Sequence, residues 1–215
     1  MNDEYISTRT LYSPKPHRVR KFRVSFFDYT IDVTVTSTPS VVRRWLQKAL
    51  YRFRHNVRRC RLVVGLGVQW NPSSNSAATL QLCMGQLCLV FQLFHAPRVP
   101  LSLRRFLADP DNTFVGVWNN NDQDMLRRSE HILDVPSLVD IRYVAEGKKG
   151  WSRQVSMETL AADLLGFEDV MKPELIGRSD WKAYWLDEDQ VQYAAVDAFL
   201  SFRMGKALHV WNWNS

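Results

Sequence analysis

VVGLGVQWNP, residues 63–72, reads as a buried strand that runs into a turn, with an apolar run giving way to Asn71-Pro72 and the polar loop NPSSNSAA (71–78). Side chains alternate across a strand, so Gly67 and Gln69 share one face, and neither carries a charge. Working outward, RVSFFDYTIDVTVT (23–36) alternates about Asp28-Tyr29 and predicts a hairpin. TLQLC (79–83) and QLCLVFQL (86–93) predict a second hairpin about Gly85. PLSLRRFLAD (100–109) predicts a helix, TFVGVW (113–118) a buried strand, and NNDQDMLRRS (120–129) a helix opened by Asn. VPSLVDIRYVA (135–145) is a short apolar segment, SMETLAADLLG (156–166) a helix with a Gly stop, and Glu188 to His209 a long closing helix. This order suits an α/β fold, a mixed sheet flanked by helices on both faces. The expected division is a basic, flexible tail over 1–22, one domain over 23–209, and a C-terminal tail over 210–215.

At 215 residues, 46% hydrophobic and 12% aromatic, the chain buries a sizeable core. No run approaches the ~18 apolar residues of a membrane span, and MNDEYISTRT holds no apolar segment that could act as a secretory signal. The expected location is therefore the cytoplasm or nucleus. Cys60, Cys83 and Cys88 match no zinc spacing and are expected as reduced thiols.

Charge is unevenly spread. From Val33 to Ala108 there is no Asp or Glu, while eleven Arg and Lys fall in that span. Within it, Thr38 to Asn56 predicts an amphipathic helix with Thr38 as N-cap and Pro39 in its first turn. Val42, Trp45, Leu46, Ala49, Leu50 and Phe53 form its apolar face, and Arg44, Lys48 and Arg52 its basic one. That ridge is either a solvated face or a phosphate-binding surface.

Three motifs in order carry a specific resemblance: VVGLGVQWNP, then TFVGVWNNNDQDML (113–126), then QVQYAAVDAF (190–199). The chain from about Val33 to Gly205 resembles the 3′-5′ exonuclease domain of the DEDD superfamily, Tyr subtype, with a ribonuclease-H-like fold. In particular it resembles the Werner-like branch expanded in plants, and the RISC-interacting clearing exoribonucleases with Gly and Gln at the first motif. The resemblance implies hydrolysis of a 3′-terminal phosphodiester by two Mg²⁺ or Mn²⁺ ions ~3.5–4 Å apart, held by carboxylates. Asp122 takes the second-motif acid position, and Tyr193 and Asp197 the third. The i, i+4 spacing puts Tyr193 and Asp197 on one helix face. In the family the tyrosine hydroxyl positions or deprotonates the attacking water. A phenol of ordinary pKa ~10 depends on a metal-polarised water to do so.

Gly67 and Gln69 depart from the pattern, since the family carries carboxylates there. Glycine supplies no ligand, and glutamine supplies one neutral oxygen, so metal affinity is expected to be weak. A replacement acid must come from elsewhere, such as Asp124, Asp187 or another subunit. Two functions remain open: an exonuclease of single-stranded nucleic acid, RNA favoured over DNA, with a reduced site, or a binding protein that holds a 3′ end without cutting it. Trp70 and Trp118 follow the first two motif strands and either stack on bases or pack at the rim. Asn119, Asn120 and Asn121 hydrogen-bond phosphate or cap the helix. Asp140 is a structural helix or turn partner. Trp181 and Trp185 belong to core or interface, and the tryptophans of WNWNS suggest docking on a neighbouring chain. The resemblance implies a homo-oligomer, with hexameric rings known in the family.

Overall fold

The computed structural model describes residues 6–168, 170 and 173–212. Its eight strands are β1 (Ile6–Leu11), β2 (Arg20–Phe26), β3 (Tyr29–Thr36), β4 (Leu62–Gln69), β5 (Thr79–Met84), β6 (Leu87–Gln92), β7 (Asn112–Gly116) and β8 (Leu138–Asp140). The helices are α1 (Pro39–Arg52), α2 (Arg54–Arg58), α3 (Leu101–Ala108), α4 (Asp122–Arg127), α5 (Ile141–Lys149), α6 (Met157–Leu165), α7 (Glu174–Gly177) and α8 (Glu188–Ala207). One sheet holds all eight strands in the order β1-β2-β3-β6-β5-β4-β7-β8. The pairs β1–β2, β2–β3, β5–β6 and β4–β5 are antiparallel, while β3–β6, β4–β7 and β7–β8 are parallel. Both hairpins fall where the alternation predicts, with Phe27 and Gly85 taking positive φ in their turns.

The sheet divides two cores by the period-two rule. Leu62, Val64, Leu66, Leu80, Leu82, Leu89, Phe91 and Phe114 pack with Trp45 and Leu46 of α1 and Leu103 and Leu107 of α3. Val63, Cys83, Cys88, Val90 and Val115 point the other way, into a core built from α5, α6 and α8. Helix ends follow local chemistry. Ser156 caps α6 by accepting from the Thr159 amide, and Asp187 and Gln190 form a reciprocal capping box on α8. Asp140 caps α5 and is clamped by Arg142, whose guanidinium meets both carboxylate oxygens at 2.6–3.1 Å with both side chains 3% exposed. Thr38 holds the N-cap position of α1, but its side chain makes no capping bond.

Three expectations need correction. The segment expected as a tail over 1–22 contributes an edge strand: Ile6–Leu11 pairs with β2, Thr8 Oγ1 donates to Gln192 Oε1 at 2.9 Å, and the Thr10 amide donates to Glu188 Oε1 at 3.0 Å. Its reading failed because ISTRTL is polar on both faces, so main-chain bonds rather than burial hold it. At the other end Val210 is fully buried and Trp211 lies against Lys206 and His209, so the packed unit extends past 209. Trp213 lies outside the described residues. Cys83 and Cys88, expected as reduced thiols, face one another across the β5–β6 hairpin and are joined as a disulfide, leaving Cys60 as the free, exposed cysteine. No helix among the described residues is long and apolar enough to cross a membrane.

Candidate active site

β4 and α8 meet backbone to backbone. A Cβ on Gly65 would lie 1.8 Å from the Ala198 carbonyl oxygen, so only glycine permits this crossing. One step further along the same strand face, a Cβ on Gly67 would lie 3.0 Å from Asp197 Oδ2 and 3.0 Å from Gln81 Oε1. The helix that crosses at Gly65 thus sets the Asp197 carboxylate directly over the bare position at 67. Gln81 comes from β5, where it pairs with Gly67 across the ladder. It is 1% exposed, its Nε2 donates to Thr79 Oγ1 at 2.6 Å, and its Oε1 has no hydrogen-bond partner among the described residues.

Asp122 reaches the same end of the sheet by another route. β7 runs parallel to β4 and stops at Gly116; Trp118 then turns the chain through left-handed φ, and a single 3₁₀ turn, Asn119–Asn121, leads into α4. Gly116 keeps this turn tight, since a Cβ would lie 3.0 Å from the Asn119 side chain and 3.1 Å from the Leu66 carbonyl. Asn119 is buried and donates to the Val139 carbonyl at 3.1 Å. α4 is tied to the loop beyond Gln69: the Ala77 amide donates to the Met125 carbonyl and the next amide, of Ala78, to the Gln69 carbonyl. Asp122 opens that helix and is 8% exposed. Tyr193 lies one turn before Asp197 on α8, and its hydroxyl rests over Gly177, where a Cβ would come within 2.9 Å. Trp181 packs beside the Tyr193 ring, and its Nε1 holds the Gly177 carbonyl at 3.0 Å. An apolar cavity of about 250 Å³ opens here, lined by Leu175, Ile176, Gln192, Tyr193 and Val196.

Several predicted residues go elsewhere. Arg44, Lys48 and Arg52 are exposed on α1, which covers the sheet face opposite Asp197. Trp70 packs against that same opposite core. Trp118 is 47% exposed, but the Arg142 guanidinium lies 3.4 Å from its ring centre and its Nε1 bonds the Val155 carbonyl, so it is a rim residue with one face covered. Asn121 is exposed at the N-cap of α4 without a side-chain capping bond. Of the suggested replacement acids, Asp187 is engaged in its capping box and Asp124 is exposed beside Arg128. Trp181 is core and Trp185 half-exposed.

Among the described residues no group of three or more His, Cys, Asp or Glu could hold a metal ion. The donors over Gly67 are one carboxylate and one neutral amide oxygen, a hard but charge-poor set. It fits a weakly held divalent cation better than a pair neutralised by four acids. Sequence reasoning missed Gln81, Gly65 and Gly177. Gln81, two residues after the polar Thr79 in TLQLC, carries no spacing signal, and only strand register singles it out.

Residues 68–210 match the family model described as 3′-5′ exonuclease. The chain is similar to a 3′-5′ exonuclease of Arabidopsis thaliana, 29% identical over 152 residues, covering 67% of this chain and 52% of that protein. It is also similar to the exonuclease 3′-5′ domain-containing protein 2 of Homo sapiens, 31% identical over 149 residues, covering 65% and 24%. The chain therefore spans about half the length of the first relative and a quarter of the second. Among solved structures, RNase D of Escherichia coli aligns with a TM-score of 0.58 at 20% identity, covering 72% of this chain and 41% of that one. Brucella melitensis NrnC aligns with a TM-score of 0.58 at 17% identity, covering 68% and 71%. These two show the shared ribonuclease-H-like α/β fold.

Proposed function

The chain belongs to the 3′-5′ exonuclease family, and on that premise we propose that it shortens single-stranded nucleic acid from the 3′ end, RNA favoured, by divalent-metal-dependent hydrolysis with a reduced donor set. One observation carries this reading: Asp197 stands over Gly67 at the end of the central strand, with Asp122 on a helix anchored just beyond Gln69. Asp122, Asp197 and the amide oxygen of Gln69 would hold the cation. A bound Mg²⁺ or Mn²⁺ supplies Lewis-acid polarisation of the phosphate and a more acidic water. The chain's own residues do the rest. The 250 Å³ apolar cavity beside Tyr193 receives the terminal base, Gly177 gives the tyrosine hydroxyl room to stay in place, and that hydroxyl orients the attacking water. RNase D is described as an exoribonuclease involved in structured RNA processing, which supports RNA over DNA.

A second reading, a protein that binds a 3′ end without cutting it, is favoured by the absence of a three-acid cluster among the described residues. Incubating the protein with 5′-labelled single-stranded RNA and DNA in Mg²⁺, Mn²⁺ or EDTA separates the two. The exonuclease gives a ladder of shortened products that EDTA removes, and Asp122→Ala or Asp197→Ala lowers its rate by ~10²-fold or more. A binder gives retention with a steep salt slope and no ladder.

A further inference from the structure

We propose that Gln81 is an oxygen ligand of the cation site, supplying from β5 the donor that residue 67 lacks on β4. The inference rests on the metal-dependent reading of this site and names a residue outside the three motifs.

Three observations converge. The Gln81 side chain is 1% exposed, so water does not satisfy it, yet its Oε1 has no hydrogen-bond partner among the described residues. A buried carbonyl oxygen left this way is destabilising unless it has a use. The oxygen is also aimed. It approaches the volume above Gly67 as closely as Asp197 Oδ2 does, both 3.0 Å from where a Cβ would stand. A cation held by the Asp197 carboxylate over Gly67 would therefore have the Gln81 amide oxygen beside it. Finally, Nε2 is fixed on Thr79 Oγ1 at 2.6 Å, which orients the amide with its oxygen toward the site. This pairing also accounts for Gly67. A Cβ there would press on both oxygens at 3.0 Å, whereas glycine leaves that space to the donor from the neighbouring strand. An amide oxygen brings hard-cation affinity without charge.

The competing role is an amide turned over, with Nε2 donating to Asp197 and Thr79 donating to Oε1. The test is Mn²⁺ binding, read from the paramagnetic resonance signal of free Mn²⁺, for the wild-type chain and for Gln81→Met, Gln81→Glu and Asp197→Asn. Each variant is first checked for native circular dichroism without metal. If Gln81 is a ligand, Gln81→Met weakens Mn²⁺ binding about tenfold and Gln81→Glu tightens it by at least as much. Asp197→Asn loses binding. If Gln81→Met binds as the wild type does, or Gln81→Glu fails to tighten binding, while Asp197→Asn still loses it, the Gln81 proposal is overturned and the site reading stands. If wild type and Asp197→Asn behave alike, the metal reading itself fails and this inference with it. Should Gln81→Met not fold, the Gln81→Glu comparison decides alone.

Discussion

The two faces of β4 are built for different purposes. Toward α1 and α3, the strand presents Leu62, Val64, Leu66 and Val68, all buried, in a core whose stability is spread over many methyl groups. Toward α8, it presents Val63, Gly65, Gly67 and Gln69, where side chains are removed so that a helix backbone and one carboxylate come close. The chemistry of this strand is made by subtraction. Each glycine leaves space that a neighbour fills: α8 at Gly65, and the oxygens of Asp197 and Gln81 at Gly67.

The largest expected effect comes from refilling that space. Gly65→Val places atoms where the Ala198 carbonyl already lies, 1.8 Å from the new Cβ. That carbonyl and the Phe202 amide nitrogen, 2.7 Å away, are both helix backbone, so α8 must leave the sheet, costing more than about 4 kcal/mol and abolishing cooperative unfolding by denaturant. A cooperative Gly65→Val protein with near-native stability would show that the close crossing is not what holds α8 in place.

On the opposite face a deletion costs less and touches no chemistry. Leu103 of α3 is fully buried, and Leu103→Ala lowers stability by ~2–5 kcal/mol according to how far the core relaxes. Activity per folded molecule, measured well below the melting transition, stays at the wild-type level. A matched loss of specific activity would mean that the two faces are mechanically coupled through the sheet and do not serve separate purposes.

How much of this was legible in the sequence follows the same division. The apolar face and both hairpins were readable because burial leaves a period-two signature, and amphipathic periodicity marked the start of α8 at Glu188, its expected end at His209 lying two residues past the observed Ala207. The order of Asp122, Tyr193 and Asp197 was readable through the family pattern. Gln81 was not used, because a single glutamine in TLQLC carries no spacing signal. Only the register that sets it opposite Gly67 gives it meaning. β1 was missed because an edge strand held by main-chain bonds and two hydrogen-bonded ties to α8 needs no apolar face. The Cys83–Cys88 pairing likewise depends on strand register, which cysteine counting does not supply.

The smallest expected effect concerns the basic ridge. Arg44, Lys48 and Arg52 lie exposed on α1, and Arg44 and Lys48 border a surface hollow with Lys21 and Arg23, on the face of the sheet away from Asp197. Changing all three to Ala alters stability by no more than about 0.5 kcal/mol each, since alanine suits an exposed helix and no described salt bridge involves them. A short oligonucleotide, seated at the site without reaching α1, is trimmed by the triple variant at the wild-type rate. A longer strand able to wrap around the sheet edge binds less tightly, and the slope of log affinity against log salt falls by ~1 for each phosphate that the ridge no longer neutralises. If the short substrate also slows, the ridge acts at the site itself. The strand path then crosses between the faces that β4 otherwise keeps apart.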